Sequence, residues 1–518
     1  MASAAAPPVS PLASRLRPFE RRMIMFGTML SVMMQVLDTT IANVALPHMQ
    51  TSLNATPETV TWVLTSYIVA SAVAMPITGW LADRVGRKPL MLGAILTFTI
   101  ASGLCALATS VPEMVLFRLI QGVAGALIIP MSQATQLDIN PPERMAKAMV
   151  IFSMGTLLGP VLGPLVGGWL TENFNWRWCF LINLPFGLLS MAVLVRFLPS
   201  IEKVQRRFDL FGFALLALTL GSLQMMLDRG QQQDWFSSWE ICIEAGLIVG
   251  AGWMFVVHML TARNPVIEPA LFADRNYLTT LLMSILLSTV VIAGAALLPP
   301  MLQRLMGYTV LDSGLMSAPR GFGSMVAMVI VARTTRLDPR IMVLTGTALA
   351  AVSLWFMTAF NLEMGSQPVM VANFIQGFGT GLTWIPLTVI GFATISHRLR
   401  TSAAAIVALA RSLGGSVGIS IVTTVLARNI QTSHSDLAAQ VTPESMPVLD
   451  PSVIGMIGSG GDRVMAILDA EVNRQAAMVA YIDDFHMMMI ATIAALPLIL
   501  FLQKPASVEA DDRPLVME

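Results

Sequence analysis

Charge is scarce along this 518-residue chain, in which Asp, Glu, Lys and Arg together make up only 12% of the residues. The basic and acidic totals are equal, at 31 each, so no net charge favours binding to nucleic acid. The three cysteines have neither metal-ligand spacing nor a neighbouring thiol, which argues against a metal site or a disulfide framework. A nucleophile elbow and a phosphate-binding loop are also absent, so we expect the protein not to be an enzyme and to need no cofactor.

Long apolar runs dominate what is present. The chain is 55% hydrophobic, and its mean hydropathy is +0.71. About 20 apolar residues in a helix cross the ~30 Å hydrocarbon core of a bilayer. The sequence predicts an all-α membrane protein with fourteen such helices, at 23–47, 59–82, 89–108, 112–135, 147–170, 178–198, 208–228, 239–261, 277–303, 312–332, 340–360, 367–393, 402–427 and 483–503.

The basic residues are unevenly distributed between the loops. If the N-terminus is cytoplasmic, most of the 31 Lys and Arg residues fall in segments on the cytoplasmic side. Since such loops are enriched in Lys and Arg, this distribution predicts that both termini are cytoplasmic. The first apolar run lacks a small-residue cleavage site, so we expect it to remain as the first helix.

Short patterns in the first half of the chain recur in the second. Leu119 to Gly122 matches Phe374 to Gly377, and Gly159 with Gly163 matches Gly414 with Gly418, each shifted by 255 residues. Matches that keep their order and offset indicate duplicated halves. We therefore expect five parts: a cytoplasmic tail at 1–22, a six-helix bundle at 23–200, two inserted helices at 201–275, a second six-helix bundle at 276–503 with an external loop at 429–481, and a cytoplasmic tail at 504–518.

The run GWLADRVGRK at 79–88 lies between predicted helices 2 and 3. It resembles the signature of the major facilitator superfamily, in which a glycine, an acid and a basic cluster occupy this loop. Gly86 permits a tight reversal of the chain. The resemblance implies that Gly79, Asp83, Arg84, Gly86 and Arg87 form a gate at the cytoplasmic face; the alternative is a loop that only sets topology.

Predicted helix 5 carries glycines one helical turn apart. Gly155, Gly159, Gly163 and Gly167 would let a neighbouring helix approach closely, and Pro160 would bend the axis. The pattern resembles the antiporter motif of the same superfamily. We expect it to act in conformational change, although packing alone would also explain it.

Predicted helix 1 contains the run LDTTIANVALP at 37–47, which resembles the first-helix motif of the fourteen-helix, EmrB-like branch of drug:proton antiporters. Its Asp38 lies ~13 Å from the outer end, and Arg118 of helix 4 lies ~9 Å from that end, so their depths are similar. A carboxylate that alternates between an apolar environment and a guanidinium can bind and release a proton. We expect Asp38 and Arg118 to couple proton movement to transport; a static ion pair is the alternative.

Five polar residues are candidates for lining a substrate cavity, because polar groups inside membrane helices face partners or water-filled space. Arg320 could contact an anionic substrate or a carboxylate, or could instead extend to the membrane interface. The full set is Gln35, Thr39, Gln121, Arg320 and Gln376.

The resemblance to EmrB-like exporters extends to the runs GSLQMMLDRG at 221–230 and DWFSS at 234–238. It implies export of lipophilic drugs across the bacterial inner membrane, driven by the proton motive force, with a periplasmic adaptor (a membrane fusion protein) and an outer-membrane channel as partners. Two alternatives remain open: an exporter of one metabolite, and a membrane receptor or scaffold that transports nothing.

Overall fold

The computed structural model describes residues 16–200, 208–334, 337–396, 398–440 and 461–503. Within these ranges the chain is helical and contains no strand. Fourteen long helices succeed one another: α1 Pro18–Ser52, α2 Pro57–Ala74, α3 Arg87–Leu107, α4 Val111–Ile139, α5 Pro142–Asn173, α6 Asn183–Phe197, α7 Leu210–Arg229, α8 Trp239–Thr261, α9 Arg275–Pro300, α10 Val310–Arg333, α11 Pro339–Met357, α12 Ser366–Ala393, α13 Arg400–Gln440 and α14 Gly461–Ala495.

Twelve helices in the described ranges are long and apolar enough to cross a membrane, so the protein is a multi-pass membrane protein. The two further helices, α5 with 32 residues and α12 with 28, coincide with predicted spans 5 and 12. At 1.5 Å per residue both exceed ~40 Å in length. They are not among the twelve, so the count of fourteen spans remains a prediction for these two helices.

Side-chain caps mark where several helices begin. The Thr56 hydroxyl accepts from the backbone N–H of Thr59 at the start of α2, and Asp274 accepts from the N–H of Tyr277 at the start of α9. Thr309 does the same for Asp312 in α10. These oxygens satisfy N–H groups that the first turn of a helix leaves without an intrahelical partner. Each of these three helices therefore begins at a polar residue that satisfies part of its first turn.

The first and second halves of the bundle contain matching helix contacts. In α4, a Cβ at Gly122 would lie 2.5 Å from the carbonyl oxygen of Tyr67 in α2. In α12, a Cβ at Gly377 would lie 2.6 Å from the carbonyl carbon of Arg320 in α10. Both glycines allow the paired helices to meet backbone to backbone at corresponding places. This geometry agrees with a duplicated chain.

The bundle has a basic end and an opposite end. The basic end is where α3, α9, α11 and α13 begin and where α4 and α14 end; the opposite end carries the α3–α4 and α13–α14 connections. Near the basic end a single apolar cluster joins residues of both halves, including Leu137 and Val150 with Val331 and Ala404. Near the opposite end the clusters are separate, one built from each half. The bundle is thus closed at its basic end.

Helices α7 and α8 pack on each other, and α7 also contacts both halves through α2 and α13. The amide of Gln224 in α7 donates to Ser416 of α13 at 2.9 Å. The guanidinium of Arg229, at the end of α7, lies 5.2 Å from the ring of Trp62 in α2. The pair is therefore attached to both halves on one side of the bundle.

The segment predicted as an external loop, 429–481, is helical wherever it is described. Helix α13 continues to Gln440, and α14 already begins at Gly461. The two extensions pack on each other, with His434 bonded to Asp469 at 3.0 Å. This mutual support explains why a polar stretch stays helical beyond the apolar run; residues 441–460 lie outside the described ranges.

The predicted terminal tails are only partly described. Helix α1 starts at Pro18, inside the segment expected as the tail at 1–22. Its first turn is closed by Glu20, whose carboxylate accepts from the backbone N–H of Arg17. Residues 1–15 and the tail at 504–518 lie outside the described ranges.

Candidate functional site

A buried ion pair lies in the interior of the first half. Arg118 Nη1 donates to Asp38 Oδ2 at 2.7 Å, and the side chains of both residues are at most 1% exposed. Gln121 Nε2 and Asn183 Nδ2 donate to Asp38 Oδ1 at 2.9 Å and 2.7 Å. Three donors from two further helices therefore converge on one carboxylate. We name Asp38, Arg118, Gln121 and Asn183 the acid cluster.

The acid cluster depends on the meeting of three helices. Asp38 comes from α1, Arg118 and Gln121 stand one turn apart on α4, and Asn183 is the first residue of α6. Arg118 Nη1 also donates to Gln121 Oε1 at 2.8 Å, which orients the amide so that its nitrogen faces Asp38. A buried charge is expensive unless it is paired and hydrogen-bonded, and this arrangement pairs both charges.

A second layer holds Arg118 in place. Its Nε donates to the carbonyl oxygen of Val63 at 3.1 Å, and its guanidinium carbon lies 4.2 Å from the centre of the Tyr67 ring. The Tyr67 hydroxyl accepts from Gln35 Nε2 at 3.0 Å. Helix α2 therefore holds the Arg118 guanidinium by a carbonyl and an aromatic face, in addition to its pairing with Asp38.

The three cavity candidates from the first half have different surroundings. Gln35 is 6% exposed, and its Oε1 has no hydrogen-bond partner among the described residues. Thr39 is partly exposed, and its hydroxyl donates to the carbonyl of Val36 in its own helix. The third, Gln121, is fully buried within the acid cluster. Only Thr39 is partly exposed in this conformation.

The glycine row of α5 faces α1, the helix that carries Asp38. A Cβ at Gly155 would lie 2.7 Å from Met29 Cγ, one at Gly159 would lie 2.6 Å from Val36 Cγ1, and one at Gly163 would lie 2.6 Å from Thr40 Cβ. The Thr40 hydroxyl donates across the contact to the carbonyl of Gly159 at 3.2 Å.

The close approach predicted from the glycine spacing is therefore present. At Gly167 the contact relaxes to 3.4 Å, and the side chain of Pro160 lies outside the described part of the chain. The role of this row in conformational change remains a prediction.

An ion network joins the halves at the basic end. Asp138, at the end of α4, accepts from Arg87 at the start of α3 and, at 3.0 Å, from Arg400 at the start of α13. Arg400 Nη1 also donates to the carbonyl of Leu137 at 3.2 Å. The Asp138 and Arg400 side chains are 7% and 5% exposed. We name Arg87, Asp138 and Arg400 the basic-end latch.

The other residues of the 79–88 run surround this latch. Gly86 has φ +99° and ψ 143°, a conformation that reverses the chain between the helix Thr78–Val85 and α3. Gly79 packs against α13, where a Cβ would lie 2.9 Å from Ser402 Cβ. Asp83 is half-buried in the helix Thr78–Val85, and the Arg84 guanidinium lies 5.8 Å from the Trp80 ring. Asp138, outside this run, is an acid that bridges the halves.

Arg320 and Gln376, the candidates from the second half, lie on adjacent helices. Arg320 Nε donates to Asn373 Oδ1 at 3.2 Å, while its Nη2 has no partner among the described residues. Gln376 is 1% exposed, and in the same ranges neither of its amide atoms has a partner.

Sequence reasoning missed Asn183, Tyr67, Asp138 and Arg400. Asn183 carried a usable signal, since it is an amide within an otherwise apolar predicted span. Asp138 and Arg400 offered none, because 262 residues separate them. No group of three His, Cys, Asp or Glu side chains that could hold a metal ion occurs in the described part.

Comparisons with known proteins agree with this architecture. The family profile described as Major Facilitator Superfamily matches residues 28–419. Multidrug export protein EmrB of Escherichia coli strain K12 is 36% identical over 435 residues, which cover 82% of this chain and 85% of that protein. Fatty acid resistance protein FarB of Neisseria gonorrhoeae is 34% identical over 483 residues, which cover 92% and 94%.

Solved structures show the same fold. The human organic anion transporter MFSD10 superposes with a TM-score of 0.58 at 15% identity, covering 92% of this chain and all of that one. At this identity the likeness concerns the fold alone.

Proposed function

The chain belongs to the major facilitator superfamily, and on that basis we propose that it exports lipophilic compounds across the bacterial inner membrane by alternating access, in exchange for protons. The names of its relatives refer to multidrug export and to fatty acid resistance, which favours lipophilic cargo. The observation that carries the proton-coupled part is Asp38, a carboxylate buried within the first half and held by three donors.

The coupling follows from what a proton would do to the acid cluster. Protonation of Asp38 removes the negative charge that Arg118, Gln121 and Asn183 all contact. Helix α1 then loses its ionic attachment to α4, and the hydrogen bonds from Gln121 and Asn183 lose the charge that strengthens them. A proton can shift a conformational equilibrium only by binding one state better than the other, and this loss of contacts supplies that difference.

The glycine row gives α1 a surface against which it can move. Side chains on α5 would interlock with α1, whereas Gly155, Gly159 and Gly163 leave a smooth backbone contact. Helix α5 also packs against α10 of the second half. Movement of α1 along α5 would therefore be transmitted to the interface between the halves.

The basic-end latch would act as the gate of the transporter at its basic end. We place the basic end in the cytoplasm, with both termini there, because Lys and Arg are enriched on that side of membrane proteins. The conformation described here is then closed to the cytoplasm. Separation of Arg400 from Asp138 would open it and admit substrate to the space between the halves, where Gln35, Thr39 and Gln121 are our candidates for polar contacts.

A periplasmic adaptor and an outer-membrane channel are proposed as partners, as in EmrB-like pumps. The paired extensions of α13 and α14 project at the opposite end, which faces the periplasm in this orientation. We assign the adaptor contact to these extensions, because they carry polar helix beyond the apolar runs at that end. Co-purification with the adaptor, compared between the full chain and a variant with shortened extensions, would test this assignment.

Transport by purified protein in proteoliposomes tests the proposal directly. With an imposed pH gradient, we expect uptake of a lipophilic cation by the intact chain and loss of gradient-driven uptake in Asp38→Asn. Asp312→Asn, an acid in the first turn of α10 at the opposite end, is the matched control and should transport normally. Full gradient-dependent transport by Asp38→Asn would overturn the coupling role.

The same assay separates the alternatives. An exporter of one metabolite would transport a single compound from a panel of lipophilic cations, anions and neutral molecules. A receptor or scaffold would bind compounds without any flux, and would tolerate filling of the glycine row as long as the bundle still folded.

A further inference from the structure

Arg320 is a membrane-embedded cation without an acidic partner among the described residues. Its Nε donates to Asn373 Oδ1, a neutral acceptor, and its Nη2 is buried with no partner in that part of the chain. An uncompensated guanidinium inside a membrane bundle is costly, and such residues usually face a partner, a ligand or a water-filled cavity. The side chain is only half-buried, so part of it remains accessible.

Gln376 supplies a second group with unused bonding capacity at the same place. It is 1% exposed, and within the described ranges both amide atoms lack partners. Helix α9 meets these two side chains at Gly294, where a Cβ would lie 3.6 Å from Gln376 Nε2 and 3.8 Å from Arg320 Nη2. An atom at that point would make ordinary contact with both nitrogens at once.

The first half contains a similar pair of donors, and that pair binds a carboxylate. There a guanidinium and a carboxamide, Arg118 and Gln121, bind the two oxygens of one carboxylate that α1 supplies. Gln376 is the repeat counterpart of Gln121, and Arg320 occupies the place in α10 that Tyr67 occupies in α2. The second half thus presents the same two donor types, but α9 contributes a glycine beside them.

We propose that Arg320 and Gln376 bind the carboxylate of a lipophilic organic acid that the protein carries as substrate. The guanidinium offers charge and directed N–H groups, and the amide offers a further N–H. Val290 and Leu297, near Gly294 on α9, belong to a buried apolar cluster that would receive the hydrocarbon part of the acid. This assignment rests on the proposed export function and specifies one of its substrate classes.

Binding of a matched pair of probes tests the site. 1-Naphthylacetate and 1-naphthylacetamide differ by one charge, and their affinities can be measured by calorimetry on the full chain in nanodiscs, with empty nanodiscs as the blank. We expect the intact chain to prefer the acid by at least about tenfold, because hydrogen bonds to charged groups are the stronger ones. Arg320→Gln should reduce this ratio to near one.

A second pair of variants leaves both donors in place. Gly294→Asp would put a carboxylate beside Arg320 and should abolish the preference for the acid, whereas Gly294→Ala adds only a methyl group and should retain it. The proposal is wrong if the intact chain binds both probes equally, or if Arg320→Gln or Gly294→Asp keeps the original ratio.

Failure of this inference can be told apart from failure of the proposed function. If the lipophilic cation is still transported in proteoliposomes while no variant affects the acid preference, only the carboxylate site is refuted. If nothing is transported, the export proposal fails even where the acid is bound.

Discussion

At the scale of single residues, the acid cluster derives its properties from geometry that a point charge could not reproduce. Arg118 contacts Asp38, Gln121 and the Val63 carbonyl at once, through nitrogens that diverge from a planar group. A lysine would carry the same charge on a single nitrogen. The identity of the cation therefore matters as well as its charge.

Arg118→Lys should lower the rate of proton-driven transport by about tenfold or more, because the variant loses hydrogen bonds of the guanidinium while it keeps the charge. The rate is measured as gradient-driven uptake in proteoliposomes. Arg304→Lys, at an exposed position after α9, is the matched control. Equal activity of Arg118→Lys and the intact chain would contradict a geometric role.

Gly86 is the residue whose backbone conformation most restricts its replacement. At φ +99° a side chain would clash with its own backbone, so Gly86→Ala should destabilise the fold by about 1–3 kcal/mol. The melting temperature in detergent reports this change. Gly93→Ala in α3, where a Cβ meets no atom within 4 Å, should melt at or above the temperature of the intact chain.

At the scale of elements, the pairing of α1 with α5 connects the acid cluster to the interface between the halves. The contact is close because glycines follow one another at each turn of α5, and it includes one hydrogen bond from Thr40 to the Gly159 carbonyl. We predict that α1 shifts along this contact more easily than it would along interlocking side chains.

Gly163→Ala tests this contact with the smallest possible side chain. A Cβ there would meet Thr40 at 2.6 Å, so α1 must move away and transport should fall severalfold. Gly168→Ala, five residues further along the same helix, meets nothing within 4 Å and should transport normally. Equal transport by both variants would show that the close approach serves packing alone.

At the scale of the whole molecule, the structure is closed at one end and divided at the other. The shared apolar cluster and the basic-end latch join the halves near the basic end, whereas the opposite-end clusters each belong to one half. In the proposed alternating access, the latch would break and the opposite ends would approach. We therefore predict that the latch contacts are lost when the basic end opens.

Arg400→Ala should weaken closure at the basic end, because Asp138 would lose its ion pair with the second half while its ion pair with Arg87 of its own half stays. Spin labels at Val85 and Leu337, exposed residues of the two halves, would report a larger share of long distances. Arg340→Ala removes a cation at the same end that pairs with Asp338 of its own half, and should leave the distances unchanged. Unchanged distances in Arg400→Ala would refute the latch.

The sequence alone determined the class of molecule, the approximate helices and the two central residues of the acid cluster. Apolar run length follows from bilayer thickness, and depth along a helix follows from counting residues, so Asp38 and Arg118 could be placed at similar depths before any contact was known. The family resemblance likewise lay in contiguous motifs. Each of these inferences uses information local to one segment.

Only the tertiary structure decided which helices are neighbours around the bundle, and with that the remaining partners. Asn183 contacts Asp38, Arg400 contacts Asp138, and Gly294 lies beside Arg320. The partners of each pair are on different helices, and the helical periodicity of the sequence does not indicate which helices are adjacent. The extensions of α13 and α14 stay helical because each packs on the other, which neither polar segment could indicate by itself. Depth is a property of one helix, whereas lateral contact is a property of the assembled bundle.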